Sequence, residues 1–173
     1  MAGTNEKLQI KKIGFGEAIK SYFSNLFNFN GRATRSEFWW VFLMETTVCV
    51  ISLICFFAII NNTRTVLTRI ILGVITLLLI LVCLFSLGIG TRRLHDIEKS
   101  GLLAFVSGIA NLVAIILFIG SVFIWKDESK ANSISTISLI ALLIGIVVTI
   151  ILLLFALKPS SPANKYGEPK IEQ

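Results

Sequence analysis

Between Phe38 and Leu157 the sequence is dominated by long apolar blocks separated by short polar segments. Wound as a helix, a block of that length crosses a hydrocarbon core about 30 Å thick. A soluble domain normally carries about 25% charged residues. Here 15% are charged and 55% hydrophobic, and the mean hydropathy is +0.84. The blocks predict an all-α polytopic membrane protein, with one membrane domain over residues 13–158 and short tails.

Residues 1–12 are polar and read as a flexible tail. From 13 to 29, Phe15, Ile19, Tyr22, Phe23, Leu26 and Phe27 recur on one helical face, with Glu17, Lys20, Ser21, Ser24 and Asn25 on the other. Too polar to span, this segment reads as an amphipathic helix in the membrane interface. A helix packed on the rest of the protein fits equally well. No cleavable signal peptide is expected, because the first apolar run has no small-residue cleavage site after it.

Gly31 permits a sharp turn, and Thr34 and Glu37 have the spacing of a capping box. Four transmembrane helices are predicted at about 38–60, 66–90, 102–125 and 134–157. Trp39, Trp40 and Trp125 fall at span ends, where amphipathic rings sit at headgroup level. A charged hinge over 91–101 joins the second and third spans, and polar turns over 61–65 and 126–133 lie opposite it. Pro159 stops the last helix and leaves 159–173 as a polar tail.

The net charge of +6 is best read from its distribution. The N-terminal segments carry Lys7, Lys11, Lys12, Lys20, Arg32 and Arg35. The hinge adds Arg92, Arg93 and Lys99, and the C-terminal tail adds Lys158, Lys165 and Lys170. The opposite turns hold Arg64, Arg69, Lys126 and Lys130, so twelve bases face four. By the positive-inside rule, both termini and the hinge are expected in the cytoplasm. Bases that flank spans, without a nucleic-acid-binding motif, give no reason to expect a nucleic-acid partner. Cys49, Cys55 and Cys83 lie singly inside apolar runs and read as small buried hydrophobes, with no metal spacing.

Two features could carry chemistry. Glu45 lies eight residues beyond Glu37, about 12 Å deeper along a helix. A carboxylate there must be paired, protonated or hydrated. It is either a bundle-facing acid that bonds a base or a Thr, or an ion site of a small transporter or channel component; the first is preferred. The second feature follows from topology, which brings residues 31–40, 92–101 and 164–169 to one face. Helix ends in a bundle lie within about 10–20 Å of each other. Arg32, Arg35, Glu37, Arg92, Arg93, His95 and Asp96 are therefore expected to share a cytoplasmic polar cluster.

In that cluster Arg92 and Arg93 end a helix whose dipole favours cations, Glu37 and Asp96 can pair with them, and Ser100 can cap the next helix. A single His beside one Asp lacks a nucleophile, so no catalytic set, metal or cofactor is expected. The remaining functional reading is recognition of an anionic phospholipid or a membrane partner by the arginine forks. Small-residue pairs at Ser86/Gly90, Ala104/Gly108 and Ala141/Gly145 point to a compact bundle and leave a homo-oligomer open.

The same stretches carry a family resemblance. Residues 29–40, FNGRATRSEFWW, resemble the FxGRxxRxEFWW signature of bacterial membrane proteins grouped as domain of unknown function 805. RRLHD at 92–96, with KSG at 99–101, resembles that family's RRLHDxxxSG segment, and NKYG at 164–167 its closing NxYG. Order and spacing fit from about Phe15 to Pro169. The resemblance implies a bacterial inner-membrane protein of about four helices and supplies no activity. Glu98 stands where the family usually has Gly, and Leu102-Leu103 replace a usual Trp after the SG pair.

Overall fold

The computed structural model of the chain describes residues 12–60, 66–123 and 128–169. Among them are five helices: α1 (Phe15–Ser24), α2 (Arg35–Ile60), α3 (Val66–Asp96), α4 (Leu102–Phe123) and α5 (Glu128–Ala156). No strand occurs among the described residues, and the chain after α5 carries one isolated bridge between Asn164 and Gly167. The all-α expectation holds. Residues 1–11, the turns holding Arg64 and Lys126, and the proposed anchor Trp125 lie outside the described residues.

Three segments are long and apolar enough to cross a membrane: Arg35–Phe56, Ile70–Asp96 and Thr136–Ala156. A shorter apolar stretch, Leu102–Phe118, belongs to α4. All three prolines follow α5, so no spanning helix is interrupted by one. The outward faces are aliphatic: Ile54, Leu67 and Leu154 are each at least 60% exposed. A soluble surface would not present so many large apolar side chains together; against lipid they are at home. Several such helices in one chain make this a multi-pass membrane protein.

The helices pack in sequence order, α1 on α2, α2 on α3, α3 on α4 and α4 on α5, with α3 also meeting α5. Each expected small pair supplies a glycine to a seam within this chain: Gly90 faces Ala104, Gly108 faces Leu87, and Gly145 faces Asn111. Gly88 is tightest against the N-terminal segment, since a Cβ there would lie 2.7 Å from the Leu26 carbonyl oxygen. The buried apolar core sits toward one end of the bundle and includes Tyr22, Phe38, Val41, Ile89, Leu94, Ala104 and Ala156.

Several boundaries differ from expectation. The α1 segment spans Phe15–Ser24 rather than 13–29, because Asn25 leaves helical geometry. The helix α2 starts at Arg35, and α5 starts at Glu128 inside the expected polar turn. The largest difference is the hinge. Helix α3 runs through Thr91, Arg92, Arg93 and His95 to Asp96, leaving only 97–101 as the turn. Thr91, Arg92, Arg93, Leu94 and Asp96 are all buried, and helical backbone bonds satisfy that buried main chain.

The α3 end is a Schellman motif. Lys99 N–H donates to the Leu94 carbonyl at 2.9 Å, Glu98 N–H donates to His95 at 3.1 Å, and Glu98 takes a left-handed φ of 63°. Gly101, rather than Ser100, opens α4, its carbonyl accepting from Ala104 and Phe105.

Candidate functional site

Three segments converge at the core end of the bundle: the entry to α2, the last two turns of α3, and the chain after α5. Thr34 Oγ1 accepts the Glu37 N–H at 3.2 Å, capping α2 as its spacing predicts. The Glu37 carboxylate accepts from the Ser21 hydroxyl of α1 at 2.8 Å and from Arg92 at 3.4 Å. The segment leading into α2 is tied to α3 directly, Ala33 N–H donating to the Arg92 carbonyl at 3.0 Å.

Arg32 and Arg93 form the centre. A guanidinium has five N–H donors and no acceptor. Arg32 directs Nε to Asp96 Oδ1 at 2.8 Å, Nη1 to the carbonyls of Pro162 and Gly167, and Nη2 to those of Asp96 and Ser161. Arg93 directs Nε and Nη2 to the Ala156 carbonyl, Nη2 also to Lys158, and Nη1 to Asp96 and the Ala33 carbonyl. Each arginine thus makes five bonds. Asp96 accepts from both and from the Ser160 hydroxyl.

These bonds answer a specific need. The last carbonyls of a helix have no intrahelical partner, and burying them unpaired is costly. Arg93 caps the end of α5, while Arg32, the Ser161 amide and the Ser161 hydroxyl cap the end of α3 at Asp96. The acid itself sits at the wrong end of the α3 dipole, and the two guanidinium groups offset that.

His95 has a different environment. Its ring stacks on Tyr166, with centroids 3.8 Å apart and planes 4° from parallel. Nδ1 lies 3.3 Å from the Gly31 carbonyl oxygen, which can only accept, so Nδ1 carries the proton. The Tyr166 ring is held by a tight turn in which Asn164 and Gly167 exchange backbone bonds and Gly167 takes a φ of 117°. Asn164 Nδ2 donates to the His95 carbonyl at 3.1 Å, and Lys165 Nζ lies 5.0 Å from the Tyr166 centroid. The segment 159–169, expected as a polar tail, is therefore folded onto α3.

Arg32, Glu37, Arg92, Arg93, His95 and Asp96 lie at one end of the bundle, in three separate contacts rather than the one shared cluster expected. Arg35 stays outside, exposed on the first turn of α2. Arg92 is the least satisfied member: its side chain is 4% exposed, and Nη2, like Thr91 Oγ1, has no hydrogen-bond partner among the described residues. Among the described residues no group of three His, Cys, Asp or Glu side chains could hold a metal ion.

Deeper along α2, Glu45 is buried and its Oε1 accepts from the Tyr22 hydroxyl at 2.7 Å. The partner is neither a base nor a Thr but a phenol on α1. Burial first, and the Glu45 carboxylate second, push the Tyr22 phenol far above its ordinary range. The bond pins α1 against α2, as does Trp40 Nε1 donating to the Ile13 carbonyl at 3.1 Å. Helix α1 packs on the rest of the protein, the second of its two readings. Ala18, Ser21 and Tyr22 face the protein, whereas Phe15 and Phe23 point outward. Trp39 is half-buried and packs with Phe38 and Phe42 against the core, whereas Trp40 is exposed.

Sequence reasoning passed over three groups. Tyr22 was assigned to an apolar face; the usable signal was a phenol within helix reach of a buried acid. Ser160 and Ser161 gave no signal beyond following Pro159. On the α4–α5 seam Ser107 and Thr149 hydroxyls lie 2.6 Å apart, and Asn111 Nδ2 donates to the Ser107 carbonyl at 3.0 Å. Lone polar residues in apolar runs were the available hint there.

Neither the curated proteins nor the solved structures include a match to this chain. A family model described as "Protein of unknown function (DUF805)" matches residues 26–168, from just after α1 through the Asn164–Gly167 turn. The matched range contains the whole Arg32–Arg93–Asp96 centre and the His95–Tyr166 stack. The chain belongs to the DUF805 family.

Proposed function

We propose that this protein is a structural or regulatory component of the bacterial cytoplasmic (inner) membrane, in which a polar clasp fastens a folded tail to the helix bundle. The clasp and both termini lie on the cytoplasmic side, by the twelve-to-four distribution of bases. Helix α4, with 22 residues, is the fourth span, since about 33 Å of helix matches the hydrocarbon core.

The observation that carries this reading is the saturation of Arg32 and Arg93. An arginine whose five N–H groups all bond the chain's own carbonyls and Asp96 has nothing left for a phosphate. Its work is fastening. His95 likewise meets a carbonyl oxygen and a phenol ring rather than a nucleophile, which supports a non-enzymatic role. What the clasp fastens is residues 159–169, so docking or release of that segment is the regulatory variable.

Limited proteolysis tests both parts. In inverted vesicles the tail of the parent should be cut slowly, and Arg32→Ala should speed cutting clearly; in right-side-out vesicles neither should be cut. Equal rates for parent and variant, or cutting from the outer side, would overturn the reading. Ion movement through Glu45 is the second reading, motivated by its depth. The Tyr22 bond argues for a packed role instead. Flux in proteoliposomes that falls in Glu45→Gln would restore it.

A further inference from the structure

Beside the clasp, on the flank of the bundle, the end of α3, the 97–101 turn, the start of α4 and the end of α5 enclose a groove of about 290 Å³. Its walls are Leu94, Leu102, Leu103, Val106 and Phe155, and its polar rim is Lys99 and Ser100. Lys158 adds a second cation, its Nζ standing 4.9 Å from the centroid of the Phe155 ring that lines the groove. The two ammonium groups contrast with the arginines next door. Both lysines are exposed, and neither has an ion-pair partner among the described residues. Glu98, exposed on the same turn, offsets one of the two charges and leaves the rim positive.

We infer that this groove holds one acyl chain of an anionic phospholipid, with the lipid phosphate held by Lys99, Lys158 and the Ser100 hydroxyl. Three observations fix the occupant's chemistry. The walls are aliphatic and aromatic and offer no acceptor, so the buried part of the ligand is hydrocarbon. The volume lies at the small end of ligand clefts, about 300–1,000 Å³, and suits one chain rather than a whole lipid. The cations sit only at the polar end, and basic pockets between membrane helices on the cytoplasmic side are the usual seat of anionic headgroups. Leu102 is 68% exposed at the groove edge, so the chain can enter sideways from the bilayer.

This inference rests on the proposed placement of the clasp end at headgroup level. The vesicle proteolysis checks that placement separately. If placement holds and lipid preference does not, the groove alone is wrong.

The test is native mass spectrometry of the full chain in detergent, with phosphatidylglycerol or phosphatidylcholine added at equal concentration. The parent should retain phosphatidylglycerol preferentially. Lys99→Gln and Lys158→Gln should each reduce that preference about fivefold, and the double variant about thirtyfold. Leu102→Trp, at an exposed position that leaves the core intact, should fill the groove and lower retention of both lipids. Unchanged elution and thermal stability serve as the folding control for all four variants. Equal retention of the two lipids by the parent overturns the inference. So does a preference that survives the double lysine variant, competition by glycerol phosphate lacking chains, or a dimer that Leu102→Trp dissociates.

Discussion

At the clasp end of the bundle Arg32 and Arg93 each place five N–H groups on acceptors drawn from α2's entry, α3, α5 and the tail. Across the apolar stretch, by contrast, α4 and α5 meet through glycine and a few hydroxyls, and their outer faces are bare aliphatic side chains. The difference follows from the solvent. In lipid, packing one more Leu against a neighbouring helix gains little, because acyl chains are as apolar as Leu. The apolar faces of α2, α3 and α5 therefore decide that these helices enter the membrane, not which neighbour each one takes. Neighbour choice falls to the polar end.

The largest expected effect tests that division. Arg93→Ala removes five bonds and leaves Asp96, the Ala156 carbonyl and the Lys158 carbonyl short of a partner. Breaking a buried, paired charge in this way should destabilise by about 3–5 kcal/mol. Arg93→Lys should not restore it, since an ammonium cannot span acceptors on three segments. Arg35→Ala, one helix position from the clasp but exposed, should stay within about 0.5 kcal/mol of the parent. Thermal unfolding in detergent measures all three. Similar losses for Arg93 and Arg35 would mean that the clasp has no special weight.

A smaller effect is expected where the two regimes meet. Tyr22→Phe leaves the Glu45 carboxylate buried without its phenol donor, a loss of about 1–3 kcal/mol. Removing both polar groups in Tyr22→Phe/Glu45→Leu should be less damaging than Glu45→Leu and Tyr22→Phe summed. A double-mutant cycle gives the coupling, expected between about 0.6 and 1.7 kcal/mol as for other hydrogen bonds in membranes. Additive losses would show that Tyr22 and Glu45 are neighbours without being partners.

What was legible in the sequence divides along the same line. Apolar runs are long-range signals, so five helices, the membrane class and the Thr34 cap could be read directly. That residues 31–40, 92–101 and 164–169 share one end of the bundle followed from the order of the helices; that the 159–169 segment folds onto α3 did not. Nor did the individual partners. A sequence shows that Arg92 and Arg93 are adjacent. It does not show that about 100° of helix rotation sends one to Glu37 and the other to the carbonyls of α5. The helical state of 91–96 was missed for a related reason: charge suggests solvent, and here the charges are buried because each has a built partner.

Glu98 sharpens the comparison with an effect of opposite sign. The Schellman turn needs a left-handed residue, and a side chain at a φ of 63° is strained by roughly 1–2 kcal/mol. Glu98→Gly should therefore stabilise the chain, by about 1 kcal/mol once the greater freedom of an unfolded glycine is counted. It should also raise the net positive charge of the groove rim. A lower unfolding temperature for Glu98→Gly would mean that the Glu side chain makes a compensating contact in the membrane-bound protein.

The smallest effect belongs to the seam inside the membrane. Ser107 and Thr149 exchange a 2.6 Å bond, but each can also satisfy its hydroxyl within its own helix, as Thr149 does on the Gly145 carbonyl at 2.8 Å. A hydrogen bond with such an alternative is worth little, because the separated helices lose no partner. Ser107→Ala should cost about 0.6 kcal/mol, and Thr149→Val about the same. Gly145 is another matter: it lies under the Asn111 amide, and Gly145→Ala must push that side chain aside. If Ser107→Ala destabilised the protein as much as Arg93→Ala, the seam would be choosing α5 as the neighbour of α4. The clasp would then be securing a pairing already made in the membrane.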